Sequence, residues 1–141
     1  MKNGIARNTS TDDWATPPDF YEKLDREYHF DFDPCPYKSK IDYLSSNWGM
    51  SNYINPPYSR QLKEKFIRKA LEESRKGKLC VMLLPVSTST KIFHEVILPN
   101  ATKIEFVKGR LKFGHENENG VIEYNSCGQH DSMIVVFDGR K

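Results

Sequence analysis

The stretch Leu79-Cys80-Val81-Met82-Leu83-Leu84 decides the fold. It is strand-sized, almost wholly apolar, and bounded by Gly77 and Pro85. An apolar run without alternation marks a central strand buried on both faces, because a half-solvated strand would carry a polar residue at every second position. The flanking sequence supplies the covers. On the amino-terminal side, Leu62, Phe66, Ala70 and Leu71 recur at helical spacing and predict an amphipathic helix closed by Gly77. On the carboxyl-terminal side, Thr88 to Leu98 predicts another helix, with Ile92, Phe93, Val96 and Ile97 inward and Pro99 after its end.

The same alternation of strand and helix continues outward. Tyr53-Ile54 predicts a short strand running straight into Asn55-Pro56-Pro57-Tyr58, and Lys103 to Val107 and Met133 to Phe137 predict the last strands. Phe30-Asp31-Phe32-Asp33 alternates and reads as a short strand stopped by Pro34 and Pro36. The first helix is expected after Thr16, with Thr16 as its cap, Pro17 in its first turn, Asp19 three residues after the cap, and an apolar stripe of Phe20, Leu24 and Tyr28. Loop-rich sequence leads to Gly49, and the polar, turn-rich segment His115 to Asp131 is predicted to be a mobile loop. The pattern is that of an α/β layer fold. With 141 residues and no repeat or linker, it predicts a flexible leader over 1–11 and one domain over 12–141.

Composition narrows the class of protein. No apolar run approaches the roughly 20 residues of a membrane span, so no membrane association is expected. Cys35, Cys80 and Cys127 are odd in number and lack a C-x-x-C spacing, which points to free thiols in a reducing cytoplasm rather than to disulfides or zinc. His29, His94, His115 and His130 lack metal-ligand spacing, and no metal is expected. The net charge of +2 leaves nucleic acid open. Positive residues gather over Arg60 to Lys69, Arg75 to Lys78 and Lys103 to Lys112, where solvated faces are the plainer reading; Lys108, Arg110 and Lys112 differ in lying among aromatics.

The chemistry-bearing segment is Asn55-Pro56-Pro57-Tyr58. Two consecutive prolines remove two backbone donors and fix two φ angles, giving a stiff loop whose carbonyls no helix or ladder takes. The plain reading is a rigid strand-to-helix turn. The chemical reading starts from the position, since the carboxyl edge of an α/β sheet is where ligands bind. The exocyclic amine of a nucleobase is a poor nucleophile because its lone pair is delocalised into the ring. The Asn55 side-chain oxygen and the Pro56 carbonyl can accept its two N–H bonds and favour a tetrahedral, nucleophilic nitrogen. Tyr58 offers a flat face to a base flipped from its helix. Direct transfer from a sulfonium donor then needs alignment rather than a metal or covalent nucleophile.

Read with its neighbours, the chain resembles the amino-methyltransferases of DNA, which share [DNS]-P-P-[YFW], and among them the phage DNA N-6-adenine methyltransferases, the phage Dam family. The resemblance runs from about Trp14 to Phe137. Trp14-Ala15-Thr16-Pro17-Pro18 is similar to the family's W-x-T-P element, Phe32-Asp33-Pro34-Cys35 to its cofactor-binding strand end, Leu84 to Thr90 to its L-L-P-x-x-T-x-T stretch, and Gly109-Arg110-Leu111-Lys112-Phe113 to G-R-L-x-F. The resemblance implies a Rossmann-like methyltransferase fold, a small single-domain sheet flanked by helices. It implies transfer from S-adenosyl-L-methionine to adenine N6 in DNA by a virus-encoded enzyme of the host cytoplasm. Asn55, Pro56, Pro57 and Tyr58 would be catalytic. Trp14, Thr16, Pro17, Asp33, Pro34 and Cys35 would hold the cofactor, Asp33 through its α-amino group, and Asp42 is the candidate acid for its ribose, with a turn residue as the other reading. Arg110 and Lys112 would meet DNA phosphates, and Phe113 would wall the base pocket.

Two departures stand out. The usual glycine-rich cofactor turn is absent, and no separate target-recognition domain is evident, so the segment Gly109 to Gly120 or the second subunit of a homodimer would have to read sequence. Two rival functions use the same motif differently: methylation of a protein glutamine amide, and a catalytically inactive DNA-binding module.

Overall fold

The computed structural model describes residues 14–39, 41–127 and 130–141. The expected leader over 1–11 lies outside the described residues. Among the described residues, ten elements follow one another: α1 (Pro18–Tyr28), β1 (Ser51–Ile54), α2 (Arg60–Ser74), β2 (Leu79–Pro85), a π-helical segment (Phe93–Ile97) running into α3 (Leu98–Asn100), β3 (Lys103–Phe106), β4 (Lys112–Glu116), β5 (Ile122–Cys127) and β6 (Ser132–Asp138). They form a small mixed α/β domain. The main sheet has the order β1-β2-β6-β3, and β4 and β5 form a separate two-stranded sheet.

β2 is the central strand that its apolar run requires. It pairs in parallel with β1, Ile54 opposite Met82, and antiparallel with β6, Met82 opposite Val135. Its residues part by alternation. Leu79, Val81 and Leu83 pack with Leu24 of α1, Tyr53 and Phe113, whereas Cys80, Met82 and Leu84 pack with Phe66, Ile67 and Ala70 of α2 and with the π-helical segment. β3 pairs antiparallel with β6 and so runs parallel to β2. The carboxyl ends of β1, β2 and β3 therefore share one edge of the sheet. A short parallel bridge between Phe32 and Asn52 adds a rudiment of a further strand beside β1, which carries Asp33 to that same edge.

Three local expectations are corrected. Thr16 does not cap α1: the cap position is Pro17, no side chain bonds there, and the Thr16 hydroxyl is drawn instead to the Tyr53 phenol at 2.7 Å. Pro99 does not end the helix expected over Thr88 to Leu98, because the preceding turns widen. The Leu98 N–H reaches back to the Phe93 carbonyl, a π-type bond, and the wider coil accommodates a ring that would strike the preceding turn of a regular α-helix. The helix then closes at Asn100, whose side chain donates to the Val96 carbonyl at 2.8 Å. The segment His115 to Asp131 is not a loop throughout: β4 and β5 form an antiparallel hairpin, with an irregularity between Phe113 and His115 that breaks the alternation a strand would print in sequence.

One buried charge anchors the far end of α2. Glu73, 0% exposed, accepts from Lys78 at 2.6 Å, Lys76 at 2.7 Å, Lys69 at 3.0 Å and the Trp48 backbone N–H at 3.0 Å. Burial works against its charge, but these donors outweigh burial and hold the carboxyl far below the usual carboxylate range. Lys69, Lys76 and Lys78, drawn from two of the basic clusters, are thereby engaged in structure.

Candidate active site

β1 delivers Asn55 to the carboxyl edge of the sheet. Pro56 and Pro57 behind it are buried and fix the loop, and α2 begins at Arg60. The Asn55 carboxamide is oriented by what it can donate to. Its Nδ2 lies 2.7 Å from the Trp14 carbonyl and 3.1 Å from Thr16 Oγ1. A carbonyl only accepts, so the atom facing it must be the amide nitrogen. The Asn55 Oδ1 and the Pro56 carbonyl accept no hydrogen bond from the described residues.

Trp14 and Thr16 reach Asn55 because their segment is stitched to the hairpin. Ala15 and Gly114 exchange two backbone hydrogen bonds, at 2.7 and 2.9 Å. The hairpin is in turn tied to the loop after Asp33: the Glu116 N–H donates to the Tyr37 hydroxyl at 2.7 Å, and Lys38 Nζ donates to the Glu116 carboxylate at 2.9 Å. Between these pieces lies a pocket of about 280 Å³. Its lining includes the expected Trp14, Thr16, Asp33, Cys35 and Asn55. The Asp33 carboxylate also accepts from the Cys35 N–H at 2.9 Å, closing a local turn.

Aromatic rings adjoin the pocket. Trp14 lies 6.4 Å from Tyr58 and 5.4 Å from His115, and Tyr58 meets Phe113 edge-on at 6.0 Å. Phe113 is 3% exposed and belongs to the core cluster on the α1 side of the sheet, so it is at once core and a support for Tyr58. Burial pushes the Tyr58 phenol up to about 12 and holds the more deeply buried Tyr53 phenol well above its usual value, so both are neutral at any ordinary pH.

Other expected residues stand apart from this pocket's lining. Pro17 caps α1, and Pro34 is buried in the turn. The Asp42 carboxylate accepts from the Leu44 N–H at 2.9 Å, the geometry of a turn acid. Arg110 is exposed and pairs with Asp131 at 3.3 Å, and Lys112 is exposed at the start of β4. Sequence reasoning missed Tyr21, Tyr37, Tyr53, Ile122 and Tyr124 among the lining residues. Two signals for them existed. Tyr53 stands two positions before Asn55 at the end of a strand, and Ile122-Glu123-Tyr124 alternates within an otherwise polar segment.

A family model described as DNA N-6-adenine-methyltransferase (Dam) matches residues 5–140. The chain belongs to this Dam family. It is also similar to a protein of Escherichia phage T1 named DNA N-6-adenine-methyltransferase, with 30% identity over 111 residues, covering 70% of this chain and 45% of the relative. The chain thus spans less than half the length of that Dam relative. No helix among the described residues is long and apolar enough to cross a membrane, and no group of three or more His, Cys, Asp or Glu among them could hold a metal ion.

Proposed function

We propose that this Dam-family chain transfers a methyl group from S-adenosylmethionine to the exocyclic N6 amine of an adenine in DNA. The observation that carries the proposal is the fixed Asn55 carboxamide. Its nitrogen is committed to Trp14 and Thr16, and its oxygen, with the adjacent Pro56 carbonyl, remains for an outside donor. An amine with two N–H bonds and no acceptor of its own is the complementary ligand.

The lining suits the cofactor. The Asp33 carboxylate matches the ammonium of the methionine moiety, and Trp14, Tyr21, Tyr37 and Tyr124 supply flat faces for a purine. Bound there, S-adenosylmethionine supplies a sulfonium methyl, an electrophile that needs no metal or covalent partner. The chain's contribution is alignment and charge stabilisation. Asn55 Oδ1 and the Pro56 carbonyl would draw on the two N–H bonds, localise the nitrogen lone pair, and stabilise the positive charge that grows on nitrogen as the C–N bond forms and the methyl–sulfur bond breaks, leaving a neutral thioether; the nitrogen then gives up one proton to water. Tyr58, neutral and held against Trp14 and Phe113, offers its face to the flipped base. Arg110 and Lys112, both exposed, are assigned to phosphates of the flanking strand. The parallel β1–β2 pair connected through α2, with antiparallel β6 inserted between β2 and β3, supports a Rossmann-like methyltransferase sheet.

The proposal is tested by incubating the protein with labelled S-adenosylmethionine and unmethylated DNA. Wild type should transfer label to DNA and not to protein. The Asn55→Ala variant should lose about a hundredfold or more of the rate while binding S-adenosylmethionine as wild type does. Transfer by Asn55→Ala at the wild-type rate would remove Asn55 from the chemistry, and label in protein glutamine would replace the substrate.

A further inference from the structure

We infer that Tyr53 is a positioning residue for the Asn55 carboxamide and acts on it through the Thr16 hydroxyl. The inference rests on the proposed role of Asn55 and extends it to the residues that set its orientation. A carboxamide has nearly the same shape when oxygen and nitrogen are exchanged, so shape alone does not choose its orientation. The choice matters here. Presented nitrogen-first, Asn55 would offer donors to an amine that itself donates.

The Trp14 carbonyl at 2.7 Å fixes one of the two Nδ2 hydrogens. The other goes to Thr16 Oγ1 at 3.1 Å, and a threonine hydroxyl can rotate away from such a partner. Tyr53 prevents this. Its phenol lies 2.7 Å from Thr16 Oγ1, and whichever of the two donates, the threonine oxygen keeps a lone pair for the Asn55 N–H. Tyr53 can hold the hydroxyl because it is itself immobile. It is 2% exposed, its backbone pairs with Val81 of β2, and its ring meets Tyr21 at 5.0 Å and Phe30 at 5.3 Å. A hydrogen-bonded chain therefore runs from the sheet interior through Tyr53 and Thr16 to Asn55. Any methyl donor in the pocket lies alongside this chain, since Thr16, Tyr53 and Asn55 all line it.

Two measurements test the inference, on variants chosen to keep the fold. Tyr53→Phe retains the packed ring, and Thr16→Ser retains the hydroxyl. The first is hydrogen exchange of the Asn55 side-chain amide by NMR in the unliganded protein, which does not depend on the reaction. Exchange should accelerate about tenfold in Tyr53→Phe and in Thr16→Val, reflecting loss of a restraining bond, and return near the wild-type rate in Thr16→Ser. The second is steady-state transfer to DNA. Tyr53→Phe should lower kcat by about fivefold to tenfold with KM for S-adenosylmethionine within about twofold, because misalignment affects the transition state more than binding. The double variant Tyr53→Phe/Thr16→Val should be no slower than Thr16→Val, because the phenol acts through the hydroxyl. Unchanged exchange in Tyr53→Phe, fully additive losses, or a raised KM at unchanged kcat would each overturn the inference. Altered exchange together with no methyl transfer by wild type would instead leave the positioning chain standing and overturn the proposed reaction.

Discussion

Tyr58 is held by rings on two sides, Trp14 and Phe113, and no hydrogen bond from its hydroxyl to a described residue fixes it. Its value to the proposed reaction is therefore a neutral flat surface. Tyr58→Phe and Tyr58→Trp should keep activity within about threefold of wild type, while Tyr58→Ala should lose about tenfold or more, the scale of one base-stacking contact. Steady-state transfer checks this, and equal losses in all three would give the role to the hydroxyl. Asn55 to Tyr58 were legible as a candidate site because the proposed chemistry is written in consecutive letters at a strand end. Thr16 was legible as a site residue, but its partner was not. A hydroxyl before a helix reads as a cap, and only the fold shows that a phenol 37 residues away takes it instead. Asp33 and Cys35 were marked by their place after a strand; Asp42 was read as a ribose acid or a turn residue, and its carboxylate accepts from the Leu44 N–H.

The hairpin of β4 and β5 is the element that the sequence concealed. Its charged residues and the irregularity between Phe113 and His115 mask strand alternation. In the structure it carries Ile122 and Tyr124 into the pocket lining, and it is pinned by the Ala15–Gly114 bonds and by Glu116. Gly114 makes that placement possible. A Cβ there would lie 2.6 Å from the Tyr124 ring and 2.8 Å from Ile122 Cγ2. The Gly114→Ala variant should therefore push Tyr124 off the pocket and weaken S-adenosylmethionine binding by about fivefold to tenfold, the cost of about one displaced contact. Calorimetric titration measures this, and unchanged affinity would show that Tyr124 is not part of the cofactor wall. The regular elements were far more legible. The apolar run of β2, the stripe of α2 and the left-handed Gly77 (φ 94°) are local signals that tertiary packing did not override. The continuation of this helix through Pro99 was not legible, because the π-type bond that precedes the proline has no counterpart in residue spacing.

At the scale of the whole molecule, the carboxyl edge of the sheet holds the site and the opposite end holds the Glu73 cluster. Sequence gave the lysines of that cluster as solvated charge, since nothing local tells that Glu73 is enclosed. Removing the charge from a buried, multiply bonded carboxylate leaves its lysine partners uncompensated, so Glu73→Gln should cost about 3 kcal/mol in urea unfolding. The pH dependence follows from the depressed carboxyl. The group contributes fully above its unfolded value of about 4.3, and the contribution is lost as pH falls toward the folded value. Wild type should therefore lose stability below about pH 4 more steeply than Glu73→Gln, and parallel curves would contradict the assignment. The same cluster anchors the carboxyl-terminal end of α2, the end away from the Asn55 loop. The central claim, that the oriented Asn55 carboxamide serves adenine N6, is tested most directly by nucleoside analysis of DNA after reaction with the wild-type protein and S-adenosylmethionine. N6-methyladenine is expected as the methylated nucleoside, absent with Asn55→Ala. Unmodified adenine alongside measurable cofactor binding, or a methyl group on another base, would contradict it.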